Sequence, residues 1–271
     1  MPELPEVETT RRALAPLVEG RKITEVRVYD ARLRWPVPRK LDELLAGKTI
    51  AALERRARYL LLRLSGGTLI VHFGMTGTLR AFAQAPPRGP HDHLEICLDR
   101  GEVLRYRDPR RFGAVLWTAE PPEQHPLLAP LGPEPLGPGF TAAGLHQAIH
   151  GRSVALKLAL MDNRVVSGVG NIYAAEALFR ARLRPARRSD RVSLAACGRL
   201  VDAVREVLAE AIAAGGSTLR DYVDGAGRPG YFQLDHRVYG RQGLPCRNCG
   251  TAIQQLRLGG RSSCYCPECQ K

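Results

Sequence analysis

The first six residues, Met-Pro-Glu-Leu-Pro-Glu, contain groups that could carry out covalent chemistry. An initiator methionine is readily removed before a residue as small as proline, and its removal exposes the secondary amine of Pro2. An uncharged secondary amine can attack a sugar or carbonyl carbon to give an iminium. Glu3 and Glu6 are three residues apart, so on a helix they would share a face and could transfer protons near that amine. The alternative is an ordinary helix start, in which proline and acidic residues occupy the first turn.

A second group of reactive side chains lies near the C-terminus. Two CxxC pairs, Cys246 with Cys249 and Cys266 with Cys269, are separated by sixteen residues. Each pair can present two thiolates to one tetrahedral ion while a hairpin spans the interval, so the spacing predicts a structural zinc site. Cysteine fills all four positions, which leaves no open position for a catalytic water. Cys264 is a competing ligand, although only Cys266 completes a CxxC pair with Cys269.

The composition indicates a polyanionic partner. The chain of 271 residues has a formal net charge of +13 and a pI near 9.9, a balance typical of proteins that bind nucleic acid. Binding to a membrane surface is the alternative, but it would need a basic amphipathic helix, which the sequence lacks. No run approaches the 18 or more apolar residues of a membrane span, and the N-terminus does not have the pattern of a signal peptide. We therefore expect an intracellular protein.

The pattern of apolar residues changes about halfway along the chain. After an N-terminal helix, short runs rich in Val, Ile, Leu and Tyr predict strands over residues 23–29, 49–64, 68–82, 93–98 and 103–117. Helical spacing follows at residues 153–161, 172–183 and 194–214. These patterns predict an α+β protein whose first domain, at residues 1–130, is an antiparallel β-sandwich with flanking helices, with an antiparallel barrel as the alternative. A Pro/Gly-rich hinge at 131–140, a helical domain at 141–233 and a zinc finger at 234–271 follow.

The segment from Met161 to Ala174 joins two predicted helices and carries a candidate phosphate site. Its glycines do not form a dinucleotide fingerprint, because no strand precedes them. Asn171 begins the second helix, and the free amide groups there could hold a phosphate; simple N-capping by Asn171 is the alternative. Arg261 lies in the predicted zinc hairpin, which is either a bare scaffold or a finger that grips phosphates.

Four separated motifs resemble, in the same order, those of the formamidopyrimidine-DNA glycosylase family. They are Met1-Pro-Glu-Leu-Pro-Glu-Val-Glu8, Asp108-Pro-Arg-Arg-Phe-Gly113, Gly168-Val-Gly-Asn-Ile-Tyr-Ala174 and the four-cysteine finger. The resemblance spans nearly the whole chain. It implies that the helical domain is a helix-two-turn-helix bundle, and that bent duplex DNA lies in a cleft between this domain with its zinc finger and the β-sandwich.

The resemblance also implies a reaction, in base excision repair of DNA. The enzyme would flip out and excise oxidised purines such as 8-oxoguanine and formamidopyrimidines, with Pro2 attacking the sugar C1′ and Glu3 donating and accepting protons around the sugar. Glu6 matches a further carboxylate of the pocket. β,δ-Elimination from the Schiff base would then cleave the strand on both sides of the lost base, as an AP lyase does. One structural zinc ion, a monomer and a location in the bacterial cytoplasm are implied as well.

Several DNA-binding positions carry over from the family. The hole left by the flipped nucleotide would be filled by Met75, Arg110 and Phe112, because a thioether and an aromatic ring replace lost stacking while a guanidinium can bond the orphaned base. Without the resemblance, Met75 and Phe112 would be interpreted as core residues. The phosphate contacts map to His72, Asn171 and Arg261, with Lys157 as a weaker match.

The sequence departs from the family pattern in two places. Family members commonly have lysine where Arg58 stands, so the charge is kept but the compact ammonium is not. Arg220 precedes a glycine-containing loop that ends at Tyr231 and suits a mobile lid over the flipped base, in a region where family members vary.

Two other functions are compatible with parts of the pattern. The endonuclease VIII family, which removes oxidised pyrimidines, shares the N-terminal start, the helix motif and the zinc finger, but the Asp108 to Gly113 motif and the lid segment favour the purine enzyme. A non-catalytic zinc-ribbon DNA-binding protein would not need a free amine at Pro2.

Overall fold

The computed structural model describes residues 2–217 and 235–271. The chain forms two compact units, Met1–Ala129 with Ala214–Tyr231 and Pro130–Ala213 with Phe232–Lys271. Among the described helices, none is both long enough and apolar enough to cross a membrane. The second unit contains both the helices and the finger, and the predicted boundary between them, at residues 233 and 234, lies outside the described residues and stays a prediction.

The first unit is a sandwich of two four-stranded antiparallel sheets, with strand orders β1-β6-β7-β5 and β2-β3-β4-β8. The α+β prediction is therefore confirmed. Its elements, in chain order, are α1 (Leu4–Val18), β1 (Ile23–Val28), α2 (Leu41–Leu45), β2 (Ile50–Arg56), β3 (Tyr59–Leu64), β4 (Gly67–His72), β5 (Thr78–Phe82), β6 (Asp92–Leu98), β7 (Val103–Arg107) and β8 (Ala114–Thr118).

Alternation along the strands builds the core between the two sheets. Leu60 and Leu62 of β3 lie opposite Val71 and Leu69 of β4, and all four are buried in the same apolar cluster as Leu104 of β7 in the other sheet. Val7, Leu14 and Val18 place one face of α1 in this cluster. Because successive side chains of a strand point to opposite faces, the remaining positions of β5 and β7 face away from the core.

Three of the strand predictions were wrong in the same way. The run over residues 49–64 is two strands, because the chain reverses at Ala57, a non-glycine residue in the left-handed region with φ of 54°. The runs over residues 68–82 and 103–117 are also two strands each, and in both cases the two strands belong to different sheets. All three breaks lie at or next to predicted DNA-binding residues, namely Arg58, Met75, Arg110 and Phe112.

The second unit contains four helices and the finger hairpin among its described residues. They are α3 (Ala142–Ile149), α4 (Leu156–Leu160), α5 (Asn171–Arg180), α6 (Leu194–Ala213), β9 (Gln254–Leu258) and β10 (Arg261–Tyr265). Helix α3 was missed by the sequence analysis, although Thr141 caps it by accepting a hydrogen bond from the Gly144 backbone N–H at 3.1 Å.

The finger packs directly on helix α5. Ala175 and Phe179 of that helix share an apolar cluster with Val238 and Ile253 of the finger. Glu176 of α5 is 1% exposed, and its carboxylate accepts backbone N–H bonds from residues 237, 238 and 239 at 2.8 to 3.0 Å. A segment too short to bury a core of its own is therefore stabilised by a helix face as well as by its cysteines.

Candidate active site and zinc centre

The predicted nucleophile lies immediately before helix α1. Pro2 is buried, Glu3 is the N-cap of the helix, and Glu6 is its third residue. The Glu3 backbone N–H donates to Oε2 of Glu6 at 2.8 Å, as in a capping box. Both carboxylates are nearly inaccessible, with exposures of 3% for Glu3 and 2% for Glu6. The proline is thus outside the helix, next to two buried acidic groups.

Glu6 is held by backbone groups on both of its carboxylate oxygens. Oε1 accepts a hydrogen bond from the Ser217 N–H at 2.8 Å, while Oε2 accepts the bond from Glu3. Gly216, at φ of 84°, lets the chain pass close by, because a Cβ there would lie 3.2 Å from Glu6 Oε1. Glu6 therefore fixes the start of α1 against the segment at Gly216 and Ser217, and this structural task engages both of its oxygens.

The turn that presents Arg58 is attached to helix α1 by an ion pair. Arg55 donates through Nε to Oε2 of Glu8 at 3.3 Å and through Nη1 to the Ala57 carbonyl oxygen at 3.0 Å. Burial opposes ionisation of Glu8, but hydrogen bonds and charges from Arg11, Arg12 and Arg55 outweigh it and lower its pKa to about 2. This bonding supports the left-handed Ala57, and Arg58 follows with an exposure of 9%.

His72, at the end of β4, is neutral at physiological pH. Burial and the positive charges of Arg58 and Arg34 lower the pKa of His72 to about 4. Its Nδ1 accepts a hydrogen bond from the Gly74 N–H at 3.1 Å, so the neutral ring carries its proton on Nε2. The ring also packs against Tyr59, with the ring centroids 4.8 Å apart. His72 can therefore donate one hydrogen bond to a phosphate, but it does not contribute a charge.

The three residues predicted to fill the hole left by the flipped nucleotide, called the wedge residues below, lie on two adjacent turns of the first unit. Met75 is 39% exposed and Phe112 is 43% exposed, which is unusual for large apolar side chains. Arg110 lies over the Phe112 ring, with its Cζ 4.6 Å from the ring centroid. The backbones of the two turns are in contact. A Cβ at Gly74 would overlap the main chain of Phe112, so only glycine fits there. The structure thus brings Met75, Arg110 and Phe112 together and leaves them uncovered.

A buried carboxylate, which the sequence analysis did not single out, joins these turns. Asp108 is 0% exposed, and its Oδ1 accepts hydrogen bonds from Thr76 Oγ1 at 2.8 Å and from the Arg110 N–H at 3.3 Å. Oδ2 accepts a bond from the Gly113 N–H at 2.8 Å. An aspartate before a proline in the quoted motif was the only sequence sign of this role.

In the second unit, Asn171 is not a capping residue. The N-cap of α5 is Gly170, and Asn171 is the first helical residue. Its side-chain Oδ1 is buried and has no hydrogen-bond partner. Asn171 lies at the positive end of a ten-residue helix, where an anion is favoured, and a phosphate there would bond N–H groups and not Oδ1, which is an acceptor.

Lys157 and Arg261 have different surroundings. Lys157 is 1% exposed, and its Nζ donates to the Ser262 carbonyl oxygen at 3.1 Å and to Ser263 Oγ at 3.0 Å. Arg261 is exposed at the start of β10, directly after the left-handed Gly259 and Gly260. Because Lys157 is nearly inaccessible and donates to two groups of the β10 strand, we interpret Lys157 as the support of the hairpin that carries Arg261.

The four predicted zinc ligands form one cluster. The Sγ atoms of Cys246, Cys249, Cys266 and Cys269 all lie within 4.8 Å of one another, with Cys249 and Cys266 3.4 Å apart and Cys246 and Cys269 3.9 Å apart. Tetrahedral zinc with Zn–S bonds of about 2.3 Å needs sulfur atoms roughly 3.8 Å apart, so the residues fit the ion. Cys264 is not in the cluster, since its Sγ lies 3.6 Å from Gln255 Oε1 in the apolar core of the finger.

The predicted lid residues, Arg220 and Tyr231, lie outside the described residues.

Family models match most of the chain, in the order of the motifs. The formamidopyrimidine-DNA glycosylase N-terminal domain matches residues 1–115, and the H2TH domain of the same enzyme matches residues 131–223. The zinc finger found in FPG and IleRS matches residues 243–271. The chain belongs to the formamidopyrimidine-DNA glycosylase family.

Full-length relatives agree with this assignment. Formamidopyrimidine-DNA glycosylases of Methylococcus capsulatus and Alkalilimnicola ehrlichii are each 55% identical to the chain, with complete coverage of both sequences. The crystal structure of the MutM (Fpg) protein from Thermus thermophilus is 43% identical, with a TM-score of 0.88, 99% coverage of this chain and 98% of that one. A Lactococcus lactis Fpg in complex with DNA containing an abasic site is 32% identical, with a TM-score of 0.91 and complete coverage of both chains.

The family assignment and the cysteine cluster together define the zinc site. This formamidopyrimidine-DNA glycosylase family member holds one structural zinc ion in the cluster of Cys246, Cys249, Cys266 and Cys269. With four thiolates as ligands, the ion stabilises the finger and has no position for a substrate. It is a DNA glycosylase.

Proposed function

We propose that Pro2 is the nucleophile with which this DNA glycosylase excises oxidised purines from duplex DNA. The observation that carries the proposal is the position of Pro2, buried in front of α1 and followed by the capping pair Glu3 and Glu6. Once Met1 is removed, Pro2 supplies a secondary amine, and its uncharged form is the nucleophile.

In the first step, the Pro2 nitrogen bonds to the sugar C1′ as the bond from C1′ to the base nitrogen breaks. The amine loses its proton and the departing base gains one, and Glu3 is the group that we assign to proton transfer at the sugar, as the family resemblance implies. Protonation of the ring oxygen O4′ then lets the C1′–O4′ bond break, which opens the sugar and leaves the iminium between C1′ and the Pro2 nitrogen. The iminium acidifies the C2′ protons, so β-elimination expels the 3′ phosphate and δ-elimination then expels the 5′ phosphate. Hydrolysis of the iminium then frees Pro2.

DNA binding is assigned to residues of both units. Arg58 supplies a charge to the backbone, His72 donates through its neutral Nε2, and Asn171 and Arg261 contact phosphates from the helical unit. These assignments rest on the family resemblance together with the position of Asn171 at the start of α5 and the exposure of Arg261.

The wedge assignment has independent geometric support. Met75 and Phe112 are exposed apolar side chains on a rigid pair of turns, and Arg110 lies beside Phe112. Such a group can enter a base stack and limit the cost of a few kcal/mol for extruding the damaged nucleotide.

The comparisons favour this reaction over the other two candidate functions. The matched N-terminal domain is that of a formamidopyrimidine-DNA glycosylase, so neither an endonuclease VIII specificity nor a non-catalytic zinc-ribbon protein is favoured. The family resemblance supports a monomer as the working form. A chromosomal DNA substrate supports a location in the bacterial cytoplasm, with the nucleoid.

The test is covalent trapping on duplex DNA containing 8-oxoguanine. Borohydride reduces the iminium to a stable amine, so we expect a protein-DNA adduct that maps to the N-terminal peptide through Pro2. A variant with a non-cleavable residue placed before Pro2 keeps every side chain but holds the Pro2 nitrogen in a peptide bond, and it should give no adduct through Pro2. An adduct on a lysine, or full trapping by the extended variant, would show that Pro2 is not the nucleophile.

A further inference from the structure

A cavity of about 590 Å³ lies on the outer face of the β1-β6-β7-β5 sheet. Arg80 of β5, Arg105 and Arg107 of β7, and Thr78 are among the residues that line it. Thr78 and Arg80 alternate with the core residue Leu79, so their side chains point to this outer face. The cavity is therefore built by the strands themselves.

The strand register places like charges directly opposite each other. Arg80 pairs with Arg105, and Thr78 pairs with Arg107. Cross-strand pairs of like charge destabilise a sheet, so an arginine pair at this position needs a compensating partner.

Arg105 has that compensation within the protein. It is 7% exposed, and it is bonded to Glu95 at 2.7 Å, to Asp92 at 3.3 Å and to the Pro86 carbonyl oxygen at 2.7 Å. Arg105 is thus fully occupied, and the two carboxylates are occupied with it.

Arg80 and Arg107 are not compensated in the same way. Within the described part of the chain, Arg80 has no ion pair; its guanidinium lies 5.0 Å from the Phe82 ring centroid, and its Nε is buried without an acceptor. Arg107 has a distant contact of 3.7 Å with Asp92, which Arg105 already neutralises. Three guanidinium groups therefore face two carboxylates, and the excess positive charge lies on the cavity side.

We propose that this cavity is a second phosphate-binding site, in which Arg80, Arg107 and the Thr78 hydroxyl hold a backbone phosphate of the duplex. A guanidinium can bond two phosphate oxygens at once. A phosphate here would neutralise the positive charge of Arg80 and Arg107 that the two carboxylates leave in excess. Gly89 lies against Arg107, and a side chain there would crowd the guanidinium, since a Cβ at that position would lie 3.2 Å from Arg107 Nη1.

The position of the cavity indicates the source of the phosphate. Thr76 and Pro109 also line it, and they are the chain neighbours of the wedge residues Met75 and Arg110. DNA that contacts the wedge therefore has its backbone near the cavity mouth. The choice of duplex DNA rests on the proposed function, whereas the phosphate chemistry rests on the cavity alone.

Duplex affinity is measured first, over a series of salt concentrations, for the full chain with its zinc. Arg80→Gln and Arg107→Gln should each lower the affinity for undamaged duplex about tenfold and flatten the log-log salt slope by about 0.9. Arg80→Lys should recover part of the lost affinity, because lysine keeps the positive charge but cannot bond two phosphate oxygens as a planar guanidinium does. Arg100→Gln is the matched control, since it removes the same charge from the turn at the other end of β7 and should change neither quantity by as much.

Inorganic phosphate separates the two sources of the ligand. In the wild-type protein it should shift the amide resonances of β5 and β7, and both glutamine variants should abolish these shifts. If the glutamine variants lose the phosphate-induced shifts but bind duplex with the same affinity as Arg100→Gln, the site binds free phosphate and not a phosphate of the DNA backbone. If phosphate causes no shifts in β5 and β7 and the variants bind duplex like the control, the site does not exist. Thermal unfolding checks that each variant is folded, and trapping through Pro2 in the wild-type protein tests the proposed function separately.

Discussion

Asp108 Oδ1 lies 2.8 Å from Thr76 Oγ1, and this bond joins the two turns that carry the wedge residues. The other oxygen of Asp108 holds the Gly113 N–H, so a single fully buried carboxylate fixes both ends of the arrangement. A charged acceptor in the interior makes stronger hydrogen bonds than a neutral one, and its loss leaves several donors without a partner. The turns that carry the exposed apolar side chains of Met75 and Phe112 are thus held by the hydrogen bonds to Asp108.

Asp108→Asn should destabilise the first unit and loosen the wedge. The amide replaces one acceptor oxygen with a donor, and we expect the free energy of unfolding to fall by about 2 to 3 kcal/mol. Excision of 8-oxoguanine from paired duplex should slow more than cleavage at an abasic site. Urea unfolding and the two rates measure this, with Asp42→Asn, an exposed residue of α2, as the control. Equal loss of both rates without loss of stability would contradict the positioning role.

Arg110→Ala should alter the preference for the base opposite the lesion. Without the guanidinium, the unpaired base has unsatisfied acceptors, at a cost of about 1 to 3 kcal/mol. The rates to compare are those for 8-oxoguanine opposite cytosine and opposite adenine. An unchanged ratio, with both rates near wild type, would show that Arg110 does not enter the stack.

Cys266→Ser should remove zinc and DNA binding together. The finger depends on the metal and on α5 for its core, while the β-sandwich has a separate core and should stay folded. Cys264→Ser is the matched control, because its sulfur lies in the same hairpin but outside the cluster. Metal content by atomic absorption and duplex affinity report the result. Zinc retained by Cys266→Ser and lost by Cys264→Ser would mean that the ligand set is wrong.

Lys157 and Arg261 should act as a unit in DNA binding. Arg261→Ala removes a phosphate contact, so the log-log salt slope should decrease by about 0.9. Lys157→Met leaves the hairpin without its buried donor, and it should weaken binding mainly by displacing Arg261. In a double-mutant cycle, Lys157→Met should therefore add little to Arg261→Ala. Additive losses and a slope smaller by about two would show that Lys157 itself contacts phosphate.

The sequence predicted those parts of the molecule that depend on local pattern. Spacing alone located the zinc ligands, and the short runs rich in Val, Ile, Leu and Tyr located the β-rich domain. The turn at Ala57 was missed because its left-handed conformation is supported by Arg55 and Glu8, which is 47 residues before Arg55, rather than by glycine or proline. The inward direction of Lys157 depends on contacts with residues 105 and 106 positions away, which no local pattern shows.

His72 should make the stability of the first unit depend on pH between about 6.5 and 4. Its pKa is about 4 in the folded protein and near 6.5 when unfolded, so in this range the unfolded chain binds more protons. The contribution is complete above pH 6.5 and is lost as the pH falls through the folded pKa. The linked change is at most about 3 kcal/mol in the free energy of unfolding.

The comparison with His72→Asn isolates this contribution from that of the other histidines. Asparagine can still accept the hydrogen bond from the Gly74 N–H through Oδ1, but it does not titrate. Urea unfolding at several pH values from 4.5 to 7 should show wild-type stability decreasing more steeply with acid than that of the variant. Duplex affinity provides a second measurement, because a neutral donor adds no counterion release, and the variant should keep the wild-type salt slope at pH 7. Parallel stability curves together with a smaller salt slope would mean that His72 is protonated in the folded protein and contacts phosphate as a cation.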